Sequence, residues 1–295
     1  PMRVLTIAGL TLKEAARRRT FLGVLVLGLL VLGLSLVLVL MRKSMEHNVA
    51  IGRWDFQRYA IEYPIAESFI TTLCMSLVKA LSALVAMALA GAAISAEIEA
   101  GVLAVILPKP IRRWEILLGK WIGINLVLVV SVLLWIFIVW LSLTEQTHRN
   151  LDSILRAGVI MTLYPVLVST LALTLSTFVQ RVFGTSIAFA ITSIAWFDGI
   201  LNSISHEVRS AVVARIAVAA GLTLPQGYVG WWVESQLGDL AMRDPGRRAP
   251  WSSPRYLNTL GLSHLHTSHL DIVYVAAYIV TLFFIGAVVF HYRDV

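Results

Sequence analysis

The chain has 295 residues, of which 58% are hydrophobic and only 14% charged, and its mean hydropathy is +0.80. Soluble globular domains carry about 25% charged residues, so this balance excludes an ordinary water-soluble globule, and recurring apolar runs of about 20 residues make a bilayer the expected solvent. The net charge of +7 implies no nucleic-acid partner here, because the bases fall largely in short flanks between the apolar runs. The single cysteine, Cys74, lies inside an apolar run, so no intrachain disulfide can form.

The chain opens with RVLTIAGLTLKEAARRR, in which Val4, Leu5, Ile7, Ala8, Leu12, Ala15 and Ala16 share one side and Lys13, Arg17 and Arg18 lie largely on the other. Residues 2–19 read as an interfacial helix on the inner leaflet, held by apolar insertion and by headgroup attraction of about 1 kcal/mol per base. The plainer account is a positively charged stop before the first span. Apolar runs then fall at roughly 20–41, 69–93, 121–143, 155–178, 183–203 and 270–290, each near the ~20 residues that cross a ~30 Å core. The predicted fold is therefore all-α, a single bundle of six transmembrane helices over 1–295.

Within the second run, Lys79 stands about ten residues deep, which is costly unless the ammonium is paired or faces water. After that run comes AEIEAGVLAVILPKPIRRWEILLGKW, residues 96–121, where three acids, four bases and two prolines interrupt the apolar chain. Ile94, Ile98, Val102 and Ile106 recur at helical spacing, so the helix is expected to continue over 94–107. Pro108 and Pro110 stop it, since neither donates a helical hydrogen bond. Arg112, Arg113, Trp114 and Glu115 open a new helix that runs through Gly119 and Lys120 into the third span.

Farther along, Asp198 lies about five residues from the end of the fifth run. With Lys79 it forms either a pathway pair or a structural ion pair, and beside Trp196 the interfacial account is preferred for it. The long segment 204–269 holds HEVRSAVVARIAVAAG, with Val208, Val212, Ile216 and Ala219 on one face, and then LPQGYVGWWVE. An amphipathic helix and an aromatic anchor at the outer interface are expected there. His264, His266 and His269 form a short tract with no cysteine or arranged carboxylate to complete a metal site, so a polar loop is expected.

Lys and Arg cluster in the N-terminal segment, in 109–120, at Arg181 and at Arg293, which predicts both termini and the 94–120 segment to be cytoplasmic and 204–269 to be outside. The implied localisation is a plasma membrane, of prokaryotic type, crossed several times.

The order Glu97, Glu99, Gly101, Leu103, then Lys109, Pro110, Ile111, Arg113, then Ile116, Leu117, Leu118, Gly119 and Lys120 resembles the first cytoplasmic loop of ABC-2 type permeases, the membrane subunits of type V ABC exporters. The resemblance covers the whole chain in layout, but its specific residues lie in that one loop. It departs from the family pattern at Ala100, Val102 and Pro108, where a base, a threonine and a serine or threonine are usual. The resemblance implies that residues 94–120 couple to an ATPase through Glu97, Glu99, Gly101, Lys109, Pro110, Arg112, Arg113 and Glu115, and that 2–19 is the connecting helix. It further implies an exporter driven by a separate cytosolic ABC ATPase, which would hold the ATP and magnesium, and a second permease copy, either identical or related. The chain itself is not expected to be an enzyme or to carry a cofactor, because Gly119-Lys120 lacks the upstream glycine and the following Ser or Thr of a phosphate-binding loop. The alternatives are a secondary transporter of a small solute, for which intramembrane acids and internal repeats are wanting, and a non-transport structural subunit anchored in the membrane. No sequence signature of an intramembrane hydrolase is present.

Overall fold

The computed structural model describes residues 2–17, 19–52, 74–99, 101, 112–147, 152–179, 181–196, 212, 215, 224–230, 232–233 and 269–292, and among these no residue is in a strand. The elements are α1 (Met2–Arg17), α2 (Arg19–Ala50), α3 (74–90), α4 (Ser95–Glu99), α5 (Arg113–Thr147), α6 (Asp152–Met161), α7 (Leu163–Phe178), α8 (Arg181–Trp196) and α9 (His269–Tyr292). Four described segments are long and apolar enough to cross a membrane: Cys74–Glu99, Arg113–Ser142, Asp152–Phe178 and Ile272–Tyr292. Val182–Ile194 is a shorter apolar helix.

The first predicted run lies within α2, which has 32 residues and continues through Arg42 and Lys43 to Ala50. At ~1.5 Å per residue such a helix is about 48 Å long, so it projects well beyond a ~30 Å hydrocarbon layer. The fourth run is two helices. Pro165 has no N–H for the Met161 carbonyl, and at the junction the Thr162 amide divides itself between Gly158 O at 3.3 Å and Val159 O at 3.2 Å.

At the centre stands α5, which touches α1, α2, α6, α7 and α9. Ile116, Leu117, Ile124, Leu128, Val132, Trp135, Ile136 and Val139 bury one broad side of it, while Leu126, Val130, Leu134, Phe137 and Leu141 face outward. Lipid tails are as apolar as leucine, so helix association here rests on close packing and on interhelical hydrogen bonds. Both occur on α5. Gly119 and Gly123, spaced as G-x-x-x-G, let α1 lie against its backbone: a Cβ at 119 would stand 2.7 Å from the Ile7 side chain, and one at 123 would stand 2.8 Å from Thr11 Cβ and 2.9 Å from Ala8 O. On another face Trp121 Nε1 donates to Thr170 Oγ1 at 2.8 Å, and Ser169 donates to Asn125 Oδ1 at 2.7 Å, joining α5 to α7. Farther along α7, Thr174 Oγ1 donates to the Leu282 carbonyl of α9 at 3.0 Å, beside Gly286.

The predicted one-sided apolar face of α1 is divided in the structure. Ile7 and Ala8 turn toward α5, whereas Leu5, 67% exposed, and Leu12 stay outward with Lys13 and Glu14. The aromatic segment of the long loop also packs inward: Leu224, Gln226, Val229 and Val233 are buried, and the Tyr228 ring meets Tyr274 of α9 edge-on at 5.7 Å. Val212 and Arg215 are helical and exposed, while Val208, Ile216, Ala219, His264 and His266 lie outside the described residues.

Two glycine substitutions separate packing from propensity. Gly9 has nothing within 4 Å of its Cβ position, so Gly9→Ala should gain about 0.5–1 kcal/mol of helix stability. Gly123→Ala should instead lose about 1–3 kcal/mol through overpacking against α1. Thermal unfolding in detergent, with tryptic cleavage after Lys13 as a reporter of α1 release, should show opposite signs for the two variants.

Candidate functional site

The helix of the second span is not the continuous one that its apolar spacing predicts over 94–107. It comes apart at residues 91–94, resumes for the five residues of α4, and ends at Gly101. Gly91 sits at the break because a Cβ there would lie 2.7 Å from Thr185 Oγ1 of α8. At the other end Gly101 has φ +67°, a left-handed backbone that caps α4, and its amide donates to Ile98 O at 3.0 Å. A Cβ at 101 would meet open space within the chain, so the backbone conformation accounts for this glycine and no close contact inside the protein does.

Breaking a helix leaves carbonyls without their usual amides. The Glu97 amide donates to Ile94 O at 3.1 Å, three residues back, and so abandons the carbonyl of Ala93. That carbonyl is taken by a different helix. Lys120 Nζ, from the second turn of α5, donates to Ala93 O at 2.8 Å and to Glu97 Oε1 at 2.5 Å. The Lys120 side chain is 7% exposed and that of Glu97 22%, so the pair is shielded from water on the lysine side. Removing one member of a buried ion pair costs about 3–5 kcal/mol, and the partial exposure of Glu97 places this pair at or below the low end of that range. Next to it the Ser95 hydroxyl is buried and has no hydrogen-bond partner among the described residues, so the joint is only partly satisfied.

The start of α5 is built by its own residues. Glu115 Oε2 accepts the Arg112 backbone N–H at 3.1 Å, the reach-back half of a capping box, and its charge also suits the positive end of the helix. Arg113 Nη1 donates to Phe290 O at 3.1 Å and to His291 O at 3.2 Å, placing a cation on the last carbonyls of α9. Together with the seat of α1 on Gly119 and Gly123, these bonds bring the start of the chain, the first part of the loop, the start of α5 and the end of α9 to one end of the bundle.

Of the residues predicted to couple, Glu97 bonds Lys120, Arg113 bonds the end of α9, Arg112 and Glu115 bond each other at the start of α5, and Gly101 caps α4. Glu99 is exposed on α4, and Lys109 and Pro110 lie outside the described residues. Lys120 is the residue that sequence reasoning passed over. In the sequence it stands in the resembling motif and in the basic cluster but is given no role in coupling, and its partner stands 23 positions away. Lys79 is elsewhere, its Nζ 5.0 Å from the centroid of the buried Tyr164 ring, a cation–π contact. Its predicted partner, Asp198, falls outside the described residues. Among the described residues no group of three His, Cys, Asp or Glu is placed to hold a metal ion.

A family described as ABC-2 family transporter protein matches residues 5–295. The chain belongs to the ABC-2 transporter family. As such it is a multi-pass membrane permease of an ABC transporter, a transport subunit and not an enzyme, and the family associates with an ABC ATPase and with the membrane. A comparison with curated proteins gives no match. In this ABC-2 permease the described interhelical salt bridge, Lys120–Glu97, lies at the charged end of the bundle.

A double-mutant cycle on the permease reads the Lys120–Glu97 bond directly. Lys120→Met and Glu97→Ala should each lower thermal stability, and the double variant should lose less than their sum by roughly 1–3 kcal/mol, as contacting residues do. Additive losses in detergent-solubilised protein would show that the two side chains act apart.

Proposed function

We propose that the protein is the permease subunit of an ABC exporter, forming the translocation pathway with a second permease copy and driven by a separate cytosolic ATPase that binds ATP and magnesium. The observation that carries this reading is the bonded end of the bundle: a short charged helix, α4, stands at the head of the loop and is tied through Lys120 to the start of a membrane-crossing helix. A force applied to that loop reaches α5, then α1 through Gly119 and Gly123, and α9 through Arg113.

In this reading residues 94–120 face the cytosol, both termini lie on that side in a plasma membrane, and the arrangement comprises six spans. The contacts of α1 and of the end of α9 with the start of α5 support a common side for the two termini. Glu99, exposed on α4, offers a carboxylate to a basic groove, and Lys109-Pro110 sets the turn beyond it. Glu97 has a divided role, since its carboxylate already holds Lys120. Arg112 is exposed at the helix start, while Arg113 and Glu115 brace the return segment.

Exposed charge pairs contribute about 0–1 kcal/mol, so Glu99→Lys alone should weaken co-purification with the ATPase only slightly. Glu97→Lys with Glu99→Lys should leave the protein inserted and sharply reduce co-purification of its ABC ATPase. An undiminished complex in the double variant contradicts the assignment of this surface.

A further inference from the structure

We propose that Lys120 is the positioning residue of the coupling loop: its ammonium locks the helix break at 91–94 to the start of α5, so that loop movement is delivered to α5 and is not absorbed at the break. The proposal rests on the ATPase-driven reading above and extends it to a residue that would make no contact with the ATPase.

A broken helix between a moving loop and a membrane span is a hinge unless something bridges it. The break at 91–94 has the features of a hinge: a glycine at its first position, a three-residue hydrogen bond from the Glu97 amide, and a buried hydroxyl at Ser95 with no partner among the described residues. On its far side Gly91 is packed against Thr185 of α8, so the chain before the break is held by another helix. On its near side the described polar bridge to α5 is Lys120. The ammonium contacts both halves at once, the carbonyl of Ala93 inside the break and the carboxylate of Glu97 beyond it. Rotation at the break would move these two oxygens relative to each other, and a single ammonium cannot follow both. Because the Lys120 side chain is 7% exposed, water does not readily replace a lost oxygen.

Position along α5 matters as well. Lys120 follows Gly119 directly, and Gly119 with Gly123 carries α1 on the neighbouring face, while Trp121 and Asn125 bond α7 on the next. A displacement delivered at Lys120 therefore enters α5 at the level where α1 and α7 are also fastened. One turn to either side, Ile116, Leu117 and Ile124 are buried apolar residues, so Lys120 is a buried cation set among apolar positions of α5.

The test uses the full-length permease in lipid nanodiscs, with and without its ATPase, in a Cys74→Ala background. Spin labels at positions 96 on α4 and 126 on α5 report whether the loop head moves with α5, and an environment-sensitive fluorophore at 141 reports ATP-driven movement at the far end of α5. The wild-type pair should give a narrow distance distribution that ATP, magnesium and vanadate do not shift, with a clear fluorophore response. In Lys120→Met and Lys120→Gln the distribution should widen and the ATP response at 141 should fall by roughly three- to thirtyfold, the scale of removing one contact from a coupling route, while the ATPase still binds and hydrolyses ATP. Lys120→Arg should restore both. Wild-type-like distances and response in either neutral variant overturn the proposal. A lowered melting temperature with a distribution as narrow as wild type also overturns it, assigning Lys120 to folding alone. If neither neutral variant inserts, Glu97→Gln weakens the same bridge from its more exposed side and is read by the same criteria. If the wild-type protein recruits no ABC ATPase, the reading of function fails; the distances in the permease alone then still decide for or against the lock.

Discussion

A lysine side chain taken almost out of water must be met by oxygen, and the oxygens that meet Lys120 come from a helix that has been opened to supply them. One is the Ala93 carbonyl, freed when the Glu97 amide turns back to Ile94; the other is the Glu97 carboxylate itself. The break and the bond depend on each other. Without the ammonium, the carbonyl of Ala93 would lack a partner inside a packed region, and without the break it would be occupied by its own helix. Through this joint the loop head belongs mechanically to α5, and α5 in turn carries α1 on its glycines and the end of α9 on Arg113.

Much of the architecture was legible in composition and run length, because a bilayer leaves few ways to satisfy a backbone. The runs 121–143 and 270–290 lie within described helices, 183–203 is helical as far as Trp196, and residues 2–19 are helical to Arg17. Details failed where local pattern and tertiary contact compete. Ile94, Ile98, Val102 and Ile106 keep helical spacing, yet Gly91 against Thr185 breaks the helix before them and the left-handed Gly101 ends it between them. Spacing reports which face is apolar and says nothing about such a close approach.

The glycines of GKWIG show the same limit from another side. Read as a candidate phosphate-binding pair, Gly119-Lys120 is a failure; read with Gly123 it is a contact surface for α1, and its lysine reaches the opposite way to the preceding span. Glu97, read in the sequence as a docking carboxylate, also accepts from Lys120, a contact across 23 positions that no local pattern contains. Family membership fixes the kind of machine, an ABC transporter permease, and the geometry then shows which side chains join the start of α5 to its neighbours.

The central claim is that the loop head and the start of α5 behave as one unit. Hydrogen exchange of the permease–ATPase complex, measured with and without ATP under conditions that trap the nucleotide, tests it most directly. The account predicts that amides of 91–99 and of 113–124 change protection together, in the same direction and at the same nucleotide concentration. A change confined to 91–99, with 113–124 unaltered, would contradict it.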